Sequence, residues 1–600
     1  MNLLLYPVIL PVLAGFICFV FPKKLKLVRD VFALLFSAAL FVLTLRFFIN
    51  RPDSYVFNDS TLLKIDNLSG FMLLGIGFFG FIITLYSLGF MNRKENLNLY
   101  YGSVLMTLGT ACGAVLANNL ILLLVFWGFL GVTLYLLIIT GKGDTGPAAL
   151  KTMVIIGGSD ALFLFSIVII HAITGTYDID KILLNFNNFW VYFAFILLIL
   201  TVSAKAGSMP LHTWIPKISE KAPIPVLAFI PAALDKLIGI YLLGRICLSM
   251  FSLTGAMNLL LMITGVVTII AAVMMALIQH DFRKLLAYHA VSQVGYMILG
   301  IGTGSPIGIL GGLFHMLNNS IYKTCLFLTG GAVKKQSGTA DLNKMGGLGK
   351  LMPVTFIAFF IAALSISGVP PFNGFASKWL IYQGLIDLGQ QGDKLWIIWL
   401  IAAMFGSGLT LASFMKLTHA MFLGAPSENV LGKKIKEENL FILIPSVILA
   451  GLCVVFGVFA FSVPIKHLLM PVVGKVSYLG LWKPGLATFL IFMGFIVGLI
   501  IYLAGSVKVR EAEPFIGGEK LPVENRVSGT GFYNTIKNMA GIKWFYEKAK
   551  LCWFDIYEQC NNLLDRAAQI LRPVHTGVLS MYMVWLCFGL AVLIFVLMGR

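Results

Sequence analysis

The chain reads as a series of apolar runs of about twenty residues, separated by short polar loops. A helix of that length crosses the hydrocarbon core of a bilayer. On that template the sequence predicts about sixteen transmembrane helices in an all-α polytopic membrane protein. The first eight lie near 3–21, 29–49, 68–91, 100–117, 119–140, 148–174, 189–207 and 223–249. The others lie near 254–279, 284–303, 307–333, 352–390, 394–423, 439–461, 484–505 and 576–598. The 352–390 run is one helix in two halves, 352–372 and 374–390, cut at Gly368-Val369-Pro370-Pro371. A second break, from Ser203 through Lys205, Gly207 and Pro210 to Trp214, ends the 189–207 run. The stretch 529–572 differs: Phe532, Ile536, Met539, Phe545, Ala549, Cys552, Ile556, Cys560, Leu563, Ala567 and Ile570 recur at helical spacing among charges. It predicts one amphipathic helix of about 65 Å, lying along the membrane or strapped across neighbouring spans.

The loops carry an orientation signal. Basic residues are dense at 22–29, 92–94, 142–151, 217–221, 279–284, 334–350, 424–436 and 506–550. They alternate with loops poor in Lys and Arg near 50–67, 174–187, 250–253, 303–306 and 390–394. The loop 462–483, with Lys466, Lys475 and Lys483, fits the alternation less cleanly. Positive-inside asymmetry therefore predicts both termini on the non-cytoplasmic side. The first span lacks a basic segment before it and has Lys23, Lys24, Lys26 and Arg29 after it, which predicts a retained signal-anchor helix.

Composition narrows the class. The chain is 59% hydrophobic and 12% charged, against about 25% charged in soluble domains. Its formal charge of +18 is spread over loops between spans, so membrane orientation explains it and nucleic-acid binding does not. The eight cysteines, Cys18, Cys112, Cys247, Cys325, Cys453, Cys552, Cys560 and Cys587, are scattered, with no spacing for zinc or an iron–sulfur cluster. Neither a disulfide nor a resident cofactor is expected.

Both broken helices carry a lysine at membrane depth, Lys205 and Lys378. Ionisable side chains there are costly and mark ion pathways by default. Broken helices in corresponding positions of two halves point to a transport site. A lysine that is costly to keep charged can take up and release a proton.

Several spaced motifs occur in order between Asp66-Asn67-Leu68-Ser69 and about Gly424. They include the stretch from Lys205 to Pro216, Asp281-Phe282-Arg283-Lys284-Leu285-Leu286-Ala287-Tyr288, Ser292-Gln293-Val294-Gly295-Tyr296-Met297, and Lys323 through Gly330. Gly346-Gly347-Leu348 and Met352-Pro353-Val354-Thr355 precede the second break. On these residues the chain resembles the antiporter-like membrane subunits of respiratory complex I, Mrp cation/proton antiporters and energy-converting membrane hydrogenases. The resemblance covers about two thirds of the chain closely, and the lateral helix with its final span extends it to the C-terminus. Gly517-Gly518-Glu519, Arg526-Val527-Ser528-Gly529-Thr530, Phe532-Tyr533 and His575-Thr576-Gly577-Val578-Leu579 look more like the hydrogenase-type members.

The resemblance implies N-terminal helices at 1–99, inverted five-helix repeats at 100–249 and 254–423, and C-terminal helices with a cytoplasmic loop at 424–528. A lateral helix at 529–572 and a final span at 573–600 complete it. It also implies roles. Lys205 matches the mid-membrane lysine of the first repeat, Lys323 the connecting lysine, and Lys378 the terminal position of the second broken helix. Asp160 matches an acidic position of the sixth helix, with Lys151 or Lys205 as a conceivable partner. His315 lies eight residues before Lys323, just over two turns, so both fall on one face. His212, between Pro210 and Pro216, is read equally as a pathway group and as a loop histidine bonding backbone.

Three positions depart from the family pattern. Gly128 follows Phe126-Trp127 where a glutamate is usual, Pro231 stands at the eighth-helix histidine, and Asn319 stands where a second histidine is common. Asp235-Lys236 offers a replacement acid for Lys205. The leading expectation is a proton-translocating subunit of a redox-driven complex I-like or hydrogenase-like assembly, in a cell membrane. Its partners would be other membrane-arm subunits, hydrophilic redox subunits and lipid. A sodium/proton antiporter subunit of Mrp type, a structural subunit that has lost conduction, and a bicarbonate-uptake partner are the alternatives.

Overall fold

The computed structural model describes residues 3–22, 24–57, 60–91, 96–477, 483–504, 530–575 and 577–598. The motif residues at 517–519 and 526–529, Thr576, and most of the basic loop at 506–550 lie outside them. The chain divides into two compact units, Met1–Asn538 and Met539–Arg600.

The first helices are α1 (Tyr6–Val20), α2 (Lys26–Ile49), α3 (Asn67–Phe90), α4 (Leu97–Leu116), α5 (Leu120–Ile139), α6 (Gly146–Thr174) and α7 (Phe189–Ala206). After the first break come α8 (Trp214–Ser219), α9 (Ile224–Phe229) and α10 (Asp235–Arg245), with α9 and α10 joined by a π turn at Ile230–Leu234. Next are α11 (Gly255–Leu277), α12 (Phe282–Gly302), α13 (Pro306–Ser337), α14 (Pro353–Ser367), α15 (Asn373–Gln390) and α16 (Trp396–Thr418). The unit continues through α17 (Glu428–Leu431), α18 (Leu440–Val458), α19 (Met470–Val473), α20 (Pro484–Ala504) and α21 (Asn534–Asn538). Two short extended pairings, Tyr55–Phe57 with Ser60–Leu63 and Leu184–Asn185 with Phe251–Ser252, close loops.

Among the described residues, fourteen helices are long and apolar enough to cross a membrane. The remaining two predicted spans are not among those fourteen. One is the broken pair α14 and α15; the other is α13, 32 residues long. Every residue of α13 from 307 to 333 is buried, including Asn318, Asn319, Ser320, Lys323 and Thr324. That helix is the axis of the unit: it packs on α3, α9, α10, α12, α14, α15 and α18. Tyr86 of α3 donates to Leu328 O at 2.8 Å, and Thr324 donates to Ala228 O of α9 at 3.2 Å.

Helix ends follow local chemistry. Asp66 and Ser69 form a reciprocal capping box at α3, and Asn119, Asn188 and Asp281 cap α5, α7 and α12 with side-chain oxygens. At both breaks a glycine ends the helix in the left-handed region, Gly207 at φ 76° and Gly368 at φ 82°. L side chains avoid that conformation, so glycine is what lets the chain leave the helix there.

Two expectations are corrected. The loop 462–483 is helical in its first half, with a π segment Phe461–Leu469 running into α19. The continuous 65 Å amphipathic helix is absent. In the second unit the stretch forms α22 (Ile542–Lys550) and α23 (Ile556–Leu571), the longer of which reaches about 24 Å. Gly541 at φ 81° and Cys552 at φ 56° interrupt it, and Asp555 caps α23 through Tyr557 N. Apolar periodicity survives such turns, so the pattern alone does not reveal them. The last helix, α24 (Leu579–Met598), follows.

Candidate functional site

The first break gathers ionisable groups from three helices, α6, α7 and α10. Lys205 is the last residue but one of α7 and is fully buried, its Nζ 4.0 Å from Asp235 Oδ1 and 5.5 Å from the Trp127 ring. Asp235 opens α10 and is itself 2% exposed. Its placement follows from Pro231, which has no N–H to give the helix, so the backbone widens into the π turn before α10 resumes. Lys236, the next residue, turns to the same end of α7 and donates from Nζ to Ala206 O. A cation on the terminal carbonyls of a helix is stabilised by the helix dipole. Gly239 permits the approach, since a Cβ there would meet Ala206 atoms at 2.8 to 3.0 Å. Asp235 and Lys236 therefore both face the broken end of α7.

Asp160 of α6 is half-buried, and its Oδ1 has no hydrogen-bond partner. Its Oδ2 lies 3.9 Å from where a Cβ at Gly128 would stand. The carboxylate of α6 thus sits against the position that carries a glutamate in the resembling pattern. Lys205 is the cation whose field reaches Asp160. Lys151, on the same helix, is buried. His212 is buried in the loop after the break, where its carbonyl accepts Ile215 N at 3.0 Å. Trp214 Nε1 closes that loop on Ala204 O at 3.0 Å.

Lys323 is fully buried on α13; its Nζ donates to Leu286 O at 3.3 Å and lies 5.6 Å from the Phe414 ring. His315 does not turn to Lys323. Its Nδ1 meets Ser377 Oγ at 2.9 Å and its Nε2 meets Gln293 Oε1 at 3.0 Å, which joins it to the helix of Lys378. Lys378, on the first turns of α15, reaches back over the second break and donates to Ile366 O at 3.0 Å. Its Nζ stands 4.8 Å from the Tyr296 ring. Among the described residues, neither Lys323 nor Lys378 has a carboxylate within ion-pair distance. Asn319, at the third departure, donates to Ala232 O at 3.3 Å and ties α13 to the π turn.

These groups form a series on helices that pack in succession: Asp160 on α6, Lys205 on α7, Asp235 and Lys236 on α10, Lys323 on α13 and Lys378 on α15. Sequence reasoning missed Gln293, Ser377 and His289, all fully buried. Polar side chains four residues apart inside an apolar helix, as at 289 and 293, were the available signal. Among the described residues no three His, Cys, Asp or Glu side chains are grouped as metal ligands, and all eight cysteines are free.

Comparison with known proteins places this arrangement. Residues 117–410, which contain Lys205, Lys323 and Lys378, match the family described as NADH:quinone oxidoreductase/Mrp antiporter, TM. Residues 56–101 match NADH-Ubiquinone oxidoreductase (complex I), chain 5 N-terminus. The chain is 31% identical to the A1 subunit of the Na(+)/H(+) antiporter of Staphylococcus haemolyticus, over 66% of its own length and 52% of the relative's. It is likewise 31% identical to the corresponding Na(+)/H(+) antiporter subunit of Alkalihalophilus pseudofirmus, over 73% of its length and 59% of the relative's. It thus spans little more than half the length of these relatives. In fold it resembles a chain of the archaeal membrane-bound sulfane sulfur reductase, with a TM-score of 0.82, 23% identity and 99% of both chains covered. A chain of the Mrp complex from Dietzia sp. DQ12-45-1b matches with a TM-score of 0.76 and 20% identity, over 98% of this chain and 62% of that one. The chain belongs to the antiporter-like family of multi-pass membrane subunits represented in complex I and Mrp antiporters.

Proposed function

We propose that this chain is an ion-translocating subunit of a complex I-like membrane assembly, and that protons move through it along the buried series from Asp160 to Lys378. The observation that carries the reading is the placement of that series: six ionisable groups, buried or half-buried, lie on five helices, α6, α7, α10, α13 and α15, that pack one against the next between the two breaks. Buried charges without function are selected against because they cost several kcal/mol each, on the order of the Born penalty after relaxation. Within the series, Lys205 exchanges its proton while Asp235 steadies the charged form. Lys236, Lys323 and Lys378 repel one another when charged, so loading one promotes release from its neighbour. Water would carry protons between side chains too far apart to touch. Partner subunits in the membrane arm, and hydrophilic redox subunits, would supply the energy in a cell membrane. The full-length likeness to a chain of an archaeal respiratory complex supports the redox-driven form.

A second reading, in which the chain serves a sodium/proton antiporter, is favoured by the 31% identity to Na(+)/H(+) antiporter subunits. Transport by the purified complex with and without an electron donor separates the two. The direct test of the series is proton and sodium uptake into sealed vesicles holding the intact complex, wild type against Lys205→Ala. Uptake lost with the complex assembled is the expected result. Unchanged uptake would make the first break a scaffold and defeat the proposal.

A further inference from the structure

The series leaves the buried histidine of α12 unused. His289 of α12 is fully buried, its Nε2 hydrogen-bonded to Ser413 Oγ of α16 at 2.7 Å and its Nδ1 without a partner. Its ring lies 4.8 Å from Phe414, the same ring that Lys323 Nζ faces at 5.6 Å. The charged groups whose fields reach it come from three helices: Lys323 of α13, Lys378 of α15 and Lys416 of α16.

On one side this histidine leads to the end of the molecule where basic loops gather. Lys416 lies one turn beyond Ser413 on α16, and its Nζ donates to Leu277 O at 2.6 Å and to Gln279 O at 2.8 Å. Backbone bonds from Leu342 to His280 and from Gly349 to Phe422 put the loops at 279–284, 334–350 and 424–436 at that end. On the other side, one turn along α12, Gln293 holds His315, and His315 holds Ser377 beside Lys378. Gln293 Nε2, like His289 Nδ1, has no partner.

We propose that Lys416, Ser413 and His289 form a proton branch from the basic-loop end of the second repeat to the Lys323 and Lys378 sites, with His289 as its relay. A neutral imidazole takes a proton at one ring nitrogen and gives up another from the opposite nitrogen, so charge and atoms balance with no bond broken but N–H. Nε2 serves the Ser413 side. Nδ1 serves water oriented by Gln293. The inference rests on the proton reading above and adds a second route to it, away from the Lys205 break.

The test is proton uptake by sealed vesicles holding the intact complex, for wild type, His289→Gln, His289→Gly and Lys378→Met. His289→Gln keeps a hydrogen bond to Ser413 but cannot exchange a ring proton. Expected are an uptake at least tenfold lower in His289→Gln with the complex still assembled, and partial recovery of His289→Gly by added imidazole. Uptake within twofold of wild type in His289→Gln overturns the branch. A loss that imidazole does not restore also overturns it, because packing then explains the histidine. Where neither His289 variant assembles, Ser413→Ala decides: a threefold or larger loss supports the branch and an unchanged rate overturns it. Lys378→Met separates the two levels. Its loss of uptake beside a normal His289→Gln sinks only the branch, whereas normal uptake in both sinks the wider proton reading as well.

Discussion

The two broken helices solve the same problem in different ways. At the first, the lysine belongs to the helix that ends, and a carboxylate from α10 faces it at 4.0 Å. At the second, the lysine belongs to the helix that begins; it reaches back to a terminal carbonyl and lies against a tyrosine ring. In both, the carbonyls exposed where the helix stops are capped by a buried amine, Lys236 in one and Lys378 in the other. The difference is the counter-charge. The first break stores an ion pair that must part for a proton to leave, while the second holds its lysine by dipoles alone. Under the proposed proton route, the corresponding roles are a gate and a conduit.

The contrast breaks most visibly at Asp235. Asp235→Asn strands Lys205 in a fully buried site, and unpairing a buried charge costs about 3–5 kcal/mol. Thermal unfolding of the purified complex is expected to show that loss, and adding Lys205→Met is expected to recover most of it. Lys378→Met strands no carboxylate and is expected to cost no more than about 1–3 kcal/mol, the range for an unsatisfied carbonyl. Equal losses at the two sites would erase the distinction.

A subtler test concerns Asp160. If its carboxylate does the work of an acid at position 128, then Gly128→Glu with Asp160→Asn keeps one acid in one place. Proton uptake within about threefold of wild type is expected, because a Cβ at 128 meets only Asp160 Oδ2, at 3.9 Å. Gly128→Glu alone sets two carboxylates side by side, which disfavours charge on both, and its uptake is expected to fall below that of the double variant.

The smallest effect is expected at the foot of α10. Burial pulls the Asp66 carboxyl up, but the Arg245 guanidinium and Ser69 outweigh it and hold it at about 2. Because that lies below the roughly 3.9 of an unfolded aspartate, the stabilisation is present above about pH 4 and is lost as pH falls through the folded value. Melting temperature of the complex measured from pH 7 to pH 3 is expected to fall less steeply in Asp66→Asn, from a slightly lower start. The pair steadies α10, the helix that carries Asp235 and Lys236, so parallel curves would show that it does not contribute.

Much of the fold was legible in the residues. Runs of twenty apolar side chains form helices in lipid because unsatisfied backbone groups are intolerable there, and Gly207 and Gly368 announced the breaks. The lateral stretch was less legible: its apolar spacing runs straight through the turns at Gly541 and Cys552. In the site, Lys205, Lys323 and Lys378 stood out as charges in apolar spans. His289 did not, because a lone histidine inside a span usually reads as a packed one.

By itself the sequence determined the long apolar helices, where two of them stop, and which charges fall within apolar runs. Those follow from local transfer free energies and backbone chemistry, which neighbours along the chain decide. The sequence already offered Asp235 to Lys205, and the structure brings the two together; only the tertiary structure decided the other partners, His315 with Ser377 62 residues away and His289 with Ser413 124 residues away. Each pairing depends on the rotation of one helix against another. A single π turn at Pro231, or the close approach that Gly239 allows, sets that rotation through packing, and no periodicity in the sequence records it.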